Sequence, residues 1–179
     1  MTIQVFVADE QSDRPVDPGR WQRLAERVLA DRGVAGTAEL SVLFVDEAAI
    51  ASLNERFLSR PGPTDVLSFP IEDEIDLPGP PQPGREPDLT GPGREPFGED
   101  DPAPLLLGDV VICPAVAWRN APEHAGSYED ELALLLVHGI LHLLGMDHEQ
   151  DADAAEMEQL ERELLARHHH RPPAEGADR

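Results

Sequence analysis

The stretch SYEDELALLLVHGILHLLG, residues 127–145, determines the fold predicted for this chain. Ser127 is a favoured N-cap residue, and Asp130 is placed for a contact of the capping-box type. The following residues are apolar on most sides, which is typical of a helix buried at the centre of a domain. Gly145 is suited to end the helix as a C-cap. The pattern therefore predicts a central helix on which the other elements pack.

Four short segments rich in β-branched and apolar residues predict strands. They are IQVFVAD (3–9), ELSVLFVD (39–46), VLSF (66–69) and LLLGDVVIC (105–113). Gly108, inside the last segment, is expected at a bulge or at a close approach between two backbones.

Helix signals lie between and after these strands, where N-cap residues such as Asp17 and Asp46, prolines and glycines bracket apolar residues at helical spacing. The predicted helices cover about residues 17–33, 46–58, 114–120 and 152–166, in addition to the central one. This order predicts an α+β fold with a small, mixed, four-stranded β-sheet packed with about five helices. The order of the strands within the sheet does not follow from the sequence.

Length and composition predict a single domain over residues 1–167. The chain has 179 residues, of which 40% are hydrophobic, so it has enough apolar surface for one core. Residues 71–104 differ, since their 34 residues include nine Pro, five Gly and ten acidic residues. We interpret them as a flexible acidic loop. Residues 168–179, HHHRPPAEGADR, are predicted to form a disordered, solvated tail.

The formal net charge of -22 argues against tight, non-specific binding to nucleic acid, and no DNA partner is expected. Because the acidic residues concentrate in the loop and in the C-terminal segment, a neutral or basic cleft elsewhere is compatible with this charge. The only cysteine, Cys113, excludes an internal disulfide and fits a reducing compartment. Without a signal peptide or a long apolar run, we expect a cytoplasmic protein with no membrane partner.

Three histidines, His138, His142 and His148, fall within HGILHLLGMDH. The first two are four residues apart, which places both imidazoles on one face of a helix. Gly145 ends the helix and lets the chain turn, so His148 can join as a third ligand. The spacing predicts one Zn²⁺ per chain, with the fourth position open as in catalytic zinc sites. The alternative is that these are core histidines satisfied by backbone carbonyls.

The same histidine spacing fits the metzincin proteases, which place a Glu directly after the first histidine as general base. That position is Gly139 here. The missing carboxylate argues against peptide hydrolysis, so a metalloprotease is the less favoured alternative.

Three blocks, PTDVLSFP, GDVVIC and HGILHLLGMDH, together resemble the YbeY family of bacterial endoribonucleases and occur in the family's order. The resemblance extends from about Asp46 to the end of the last helix. It implies a zinc-dependent endoribonuclease that cuts single-stranded RNA in 16S rRNA maturation and ribosome quality control. The implied partners are ribosomal RNA and components of the small ribosomal subunit. It also implies that His138, His142 and His148 are the zinc ligands.

One position departs from the family pattern, because Leu58 stands where many members have an arginine with a catalytic role. Arg56 and Arg60 lie nearby, and either is a candidate for supplying a cation to the scissile phosphate. The alternative is that both are solvated surface residues. The departure keeps open a second function, that of a non-catalytic, metal-bound ribosome-assembly factor.

The sequence also suggests roles for four further residues. Asp65 and Asp109 either hydrogen-bond a ligand imidazole or line the cleft, the alternatives being turn and strand-end capping. Asp147 is expected to orient His148 or to fix the turn. His124 is expected to be an exposed loop residue.

Overall fold

A mixed, four-stranded sheet organises the computed structural model, which describes residues 2–34, 36–71, 103–146 and 151–170. Its order is β1-β2-β4-β3, in which β1, β2 and β4 run parallel and β3 runs antiparallel to β4. The strands are β1 (Thr2–Asp9), β2 (Thr37–Phe44), β3 (Val66–Pro70) and β4 (Leu105–Ile112).

Five α-helices pack on this sheet within the described ranges. They are α1 (Pro18–Asp31), α2 (Glu47–Leu58), α3 (Pro114–Asn120), α4 (Tyr128–Leu143) and α5 (Asp151–His168). The caps that the sequence predicts are present: the side chains of Asp17, Asp46 and Ser127 each accept a hydrogen bond from a backbone N–H of the first turn. The predicted α+β fold is therefore confirmed.

The two faces of the sheet carry separate cores. Because successive side chains of a strand point to opposite faces, Val110 and Ile112 of β4 join the larger core with α1, α4 and α5. Val111 and Cys113 join a smaller core with α2 and α3. Burial raises the pKa of the Cys113 thiol, as expected for a buried residue that takes no part in chemistry.

Gly108 lies where the sequence predicts a bulge or a close backbone approach, and both are present. The pairing of β2 with β4 shifts register between Glu39 and Leu40, so that Leu107 is the extra residue. Gly108 has a φ of 127°, and a Cβ there would collide with the carbonyl oxygen of Phe69 on β3. Glycine is therefore required at the point where the backbone of β3 comes very close to β4.

The C-terminal helix continues past the predicted boundary. It ends at His168, whose Nε2 lies 2.6 Å from Asp31 of α1. The next two residues approach a carboxylate of α4: His169 Nε2 lies 2.8 Å and His170 Nδ1 3.8 Å from Asp130. The first three residues of the predicted tail, 168–170, thus belong to the described part of the chain.

Two predicted segments lie largely outside the described residues. Residues 72–102 of the predicted acidic loop and residues 171–179 of the predicted tail belong to them. Within the described ranges, no helix is both long and apolar enough to cross a membrane.

Candidate metal centre and cleft

Two of the three predicted ligands meet on the exposed face of α4. His138 and His142 lie one helical turn apart, and both are half-buried. Their Nε2 atoms are 3.0 Å apart. The helical spacing that suggested a shared metal ion does bring the two nitrogens together.

The tautomer of His138 is set by a carboxylate from the next helix. Glu161 of α5 is only 7% exposed, and its Oε1 lies 2.6 Å from Nδ1 of His138. A carboxylate accepts a hydrogen bond, so Nδ1 of a neutral His138 carries the proton and Nε2 keeps its lone pair. A carboxylate behind an imidazole in this way is the usual support of a metal-ligating histidine.

The donor set fits zinc. Two nitrogens bound to one zinc at about 2.0–2.1 Å in a tetrahedron lie roughly 3.3–3.4 Å apart, close to the Nε2 separation here. The same distance also fits a hydrogen bond between the two rings, with Nε2 of His142 as donor. His148 and Asp147 lie outside the described residues, so the third ligand stays a prediction.

Two clefts adjoin at His138. One has a volume of about 440 Å³ and the other of about 420 Å³, and both are bordered by Asp65, Val66 and His138. The first also contains His142, Ser68 and Arg60. The second runs between α4 and α5, past Glu161 and Arg162. His138 thus borders both clefts, and each cleft also contains an arginine.

The structure distinguishes the two arginines that the sequence offers. Arg60 lines the first cleft together with the histidines, whereas the guanidinium of Arg56 lies over the ring of Phe57, 5.3 Å from its centroid. Leu58, at the position where the family pattern has arginine, also lines this cleft and is 49% exposed. Of the two candidates, Arg60 is the one placed beside the histidines.

His124 has a more specific place than the exposed loop position expected of it. Its side chain is 59% exposed, and its Nδ1 lies 2.9 Å from both carboxylate oxygens of Glu131, which is fully buried in α4. The backbone N–H of Ala125 also donates to Glu131. The buried carboxylate holds the imidazole at the rim of the second cleft, which His138 also lines.

The two aspartates outside the histidine block lie in different places relative to the clefts. Asp65 lines both clefts and accepts a hydrogen bond from the N–H of Val66, the first residue of β3, so the capping role and the cleft position are both present. Asp109 alternates with Val110, whose side chain faces α4, so Asp109 points to the opposite face of the sheet. Its proposed contact with a ligand imidazole is therefore wrong.

Gly139 faces the sheet and not the cleft. A Cβ at this position would lie 2.6 Å from Cγ1 of Val110 and 3.2 Å from Oγ of Ser68, and that hydroxyl donates to the carbonyl of Gly139. No side chain fits here, and a Glu would collide with β4 instead of reaching the histidines. The packing thus supports the sequence-based argument against a metalloprotease.

Glu131 and Glu161 are the two site residues that the sequence reasoning missed. Each interrupts an otherwise apolar helix face: Glu131 precedes His138 by seven residues on α4, and Glu161 lies between the buried Met157 and Leu164 on α5. A carboxylate on the buried face of a helix needs a polar partner. An acidic residue on the apolar face of a predicted helix therefore indicates such a contact in the sequence.

Comparison with known proteins identifies the relatives of the chain. The family model described as "Endoribonuclease YbeY" matches residues 6–169. A curated protein of that description from Thermobifida fusca is 46% identical over 164 residues, covering 92% of this chain and 93% of the relative. One from Beutenbergia cavernae is 45% identical, covering 87% and 91%. The resemblance drawn from three motifs is thus confirmed.

A solved structure supports the fold. The solution structure of a Thermotoga maritima protein superimposes with a TM-score of 0.52 at 22% identity, covering 98% of this chain and 99% of that one.

Proposed function

The chain belongs to the endoribonuclease YbeY family, and from this premise we propose that it is a zinc-dependent endoribonuclease that cuts single-stranded RNA. The proposal extends to 16S rRNA maturation and ribosome quality control in the cytoplasm, with ribosomal RNA and small-subunit components as partners. The observation that carries it is the pair of Nε2 atoms of His138 and His142, 3.0 Å apart beside a cleft that both residues line, with Glu161 behind His138.

His138, His142 and the predicted third ligand His148 would hold the ion. When bound, zinc supplies Lewis acidity for the charge that develops on a phosphate during cleavage. Glu161 keeps the Nδ1 proton of His138 in place, and so keeps Nε2 available as a ligand.

Arg60 and Arg162 offer positive charge, one in each of the two clefts that His138 borders. On a chain with a net charge of -22, a few local cations favour a short contact with the RNA backbone over broad electrostatic capture. A single strand can bend its phosphates into clefts of this size, whereas paired bases resist such bending. The selectivity for single strands follows from this difference. Such limited contact also leads us to expect weak cleavage by the protein alone and stronger cleavage when ribosomal subunits place the RNA.

A matched pair of proteins tests this function. Wild type and His142→Ala are incubated with a labelled single-stranded RNA, its duplex, and rRNA with and without small ribosomal subunits. We expect wild type to cut the single strand, to leave the duplex intact and to cut rRNA better with subunits present, while His142→Ala loses the activity. His168→Ala, which removes a histidine that contacts Asp31 instead, should cut like wild type.

Equal cleavage by wild type and His142→Ala would mean that a contaminating nuclease acts, and the proposal would fail. Equal cleavage of rRNA with and without subunits would contradict the partner dependence alone.

Leu58 favours a second candidate function, a metal-bound ribosome-assembly factor that does not cut RNA. The side chain at this position lines the cleft but carries no charge for a phosphate. In the same experiment, zinc-loaded wild type that sediments with small subunits and cleaves none of the RNAs would support this alternative.

A further inference from the structure

A second cluster of metal-ligating side chains lies at the far end of the α4–α5 pair. It consists of Asp130, in the first turn of α4, and of His169 and His170, which follow α5. One ligand atom from each residue lies within 4.8 Å of the other two. Nε2 of His169 is 2.8 Å and Nδ1 of His170 is 3.8 Å from the same oxygen of Asp130.

The antiparallel packing of the two helices builds this cluster. Asp130 lies eight residues before His138 on α4, and His169, just past the end of α5, lies eight residues after Glu161. The cluster therefore repeats the imidazole–carboxylate pairing of the first centre with the two residue types exchanged between the helices.

Both histidines are held in place by the backbone. The N–H groups of His169 and His170 each donate to the carbonyl of Leu165 at 2.9 Å, which anchors the turn after α5. The ring of His169 is 6% exposed and packs against Trp21, with ring centroids 6.2 Å apart. His170 is 53% exposed and leaves the side toward solvent accessible.

The charge of the surroundings favours a cation. Asp130 brings a carboxylate to the cluster, and the chain has a net charge of -22. Arg20 is the opposing positive charge nearby.

We propose that Asp130, His169 and His170 form a second zinc site, distinct from the histidine pair of the cleft. Two imidazole nitrogens and one carboxylate oxygen are a ligand set that zinc accepts, with water completing the shell. An ion bound there links the start of α4 to the end of α5. Since α5 carries Glu161, the site stabilises the helix that supports His138. The proposal does not depend on RNA cleavage.

The alternative is that Asp130 and His169 form only a hydrogen-bonded ion pair. Zinc titration of the full chain by calorimetry separates the two, using His142→Ala to weaken the first centre. In that background we compare Asp130→Asn and His170→Ala. The control is His168→Ala, an adjacent histidine that binds Asp31 and not Asp130.

We expect His142→Ala to retain one equivalent of zinc, with affinity unchanged by His168→Ala and lowered at least about tenfold by Asp130→Asn or His170→Ala. Zinc should also raise the melting temperature of His142→Ala but not of either double variant. Zinc affinity in both double variants equal to that of His142→Ala would overturn the proposal. His170 is half-exposed, so its variant keeps the test valid even if Asp130→Asn perturbs the start of α4.

Discussion

Glu161 shows how a single buried carboxylate prepares a histidine for its task. A neutral imidazole has one N–H, and the carboxylate fixes it on Nδ1 of His138. The ring then cannot turn or change tautomer without leaving Glu161 without its partner inside the protein, which is costly. The orientation of Nε2 is therefore determined by a residue on a different helix.

We predict that Glu161→Gln weakens zinc binding about 10–100-fold, the range found when the group behind a ligating histidine is altered. Glutamine keeps the volume of the side chain but loses the negative charge that supports the imidazole. Competition with a chromophoric chelator measures the affinity. Glu158→Gln, an exposed carboxylate on the wall of the same cleft, is the matched control and should bind as wild type does. Equal affinities for the two variants would contradict the role of Glu161.

At the residue scale, the sequence predicted what helical geometry fixes locally and missed what distant packing fixes. His138 and His142 are one turn apart on any helix, so their meeting follows from spacing alone. Glu161 is 23 residues from His138 and meets it only because α5 packs antiparallel to α4. The alternatives for Asp109 stayed open in the sequence for a related reason, since the face to which a strand residue points is known only once the strand is placed.

Helix α4 is the element on which the site depends, and it contacts both β3 and β4 at Gly139. The missing side chain lets the helix backbone approach Val110 of β4 and accept a hydrogen bond from Ser68 of β3. This approach places His138, one residue earlier, beside the cleft that β3 borders. The free-energy cost of a glycine inside a helix is thus offset by the close packing of the helix on the sheet.

We predict that Gly139→Ala destabilises the protein by about 1–2 kcal/mol, because overpacking against Val110 costs about 1–3 kcal/mol and the gain in helix propensity recovers up to ~1 kcal/mol. In a protein that already carries Val110→Ala, Gly139→Ala should cost less stability, since the methyl groups that collide have been removed. Urea unfolding of the two single variants and the double variant measures the coupling.

Gly19→Ala is the control for that experiment, because an added methyl group on α1 meets only the mobile end of Arg23 and one oxygen of Asp17. It should leave stability unchanged or slightly raised. A Gly139→Ala protein as stable as Gly19→Ala would show that the helix–sheet contact tolerates a side chain.

At the element scale, helix and strand positions were predictable because caps and apolar periodicity are local. Asp17, Asp46 and Ser127 cap the helices where expected. The strand order was not predictable, because β4 pairs with β2 although α2, β3 and residues 71–104 lie between them in the chain, and no local signal specifies that pairing.

At the scale of the whole molecule, the charge composition makes the alkaline range informative. All 14 basic residues are arginine, and the chain has no lysine and one tyrosine. Few groups therefore titrate between pH 10 and 12. Tyr128 is buried at the start of α4, where its hydroxyl donates to the carbonyl of Pro15 at 3.1 Å and so joins α4 to the segment before α1. Burial raises the pKa of Tyr128 to about 12.

We predict that the protein loses about 2 kcal/mol of stability between pH 10 and 12 through this one group. The pKa of Tyr128 in the folded protein, about 12, lies above its value of about 10 in the unfolded chain. Its contribution is therefore complete below pH 10 and is lost as the pH rises toward 12. Absorbance at 295 nm follows the single tyrosinate, and urea unfolding follows stability.

Tyr128→Phe is the control variant. It should be less stable than wild type at pH 8, by about 1 kcal/mol for the lost hydrogen bond. It should lose less stability on going to pH 12, so that the two stability curves cross. Cys113, whose pKa burial also raises, is present in both proteins, so the difference between the two curves reports the group at position 128 together with its electrostatic coupling to that thiol. Parallel curves, or a tyrosinate transition near pH 10 in the folded protein, would contradict the prediction.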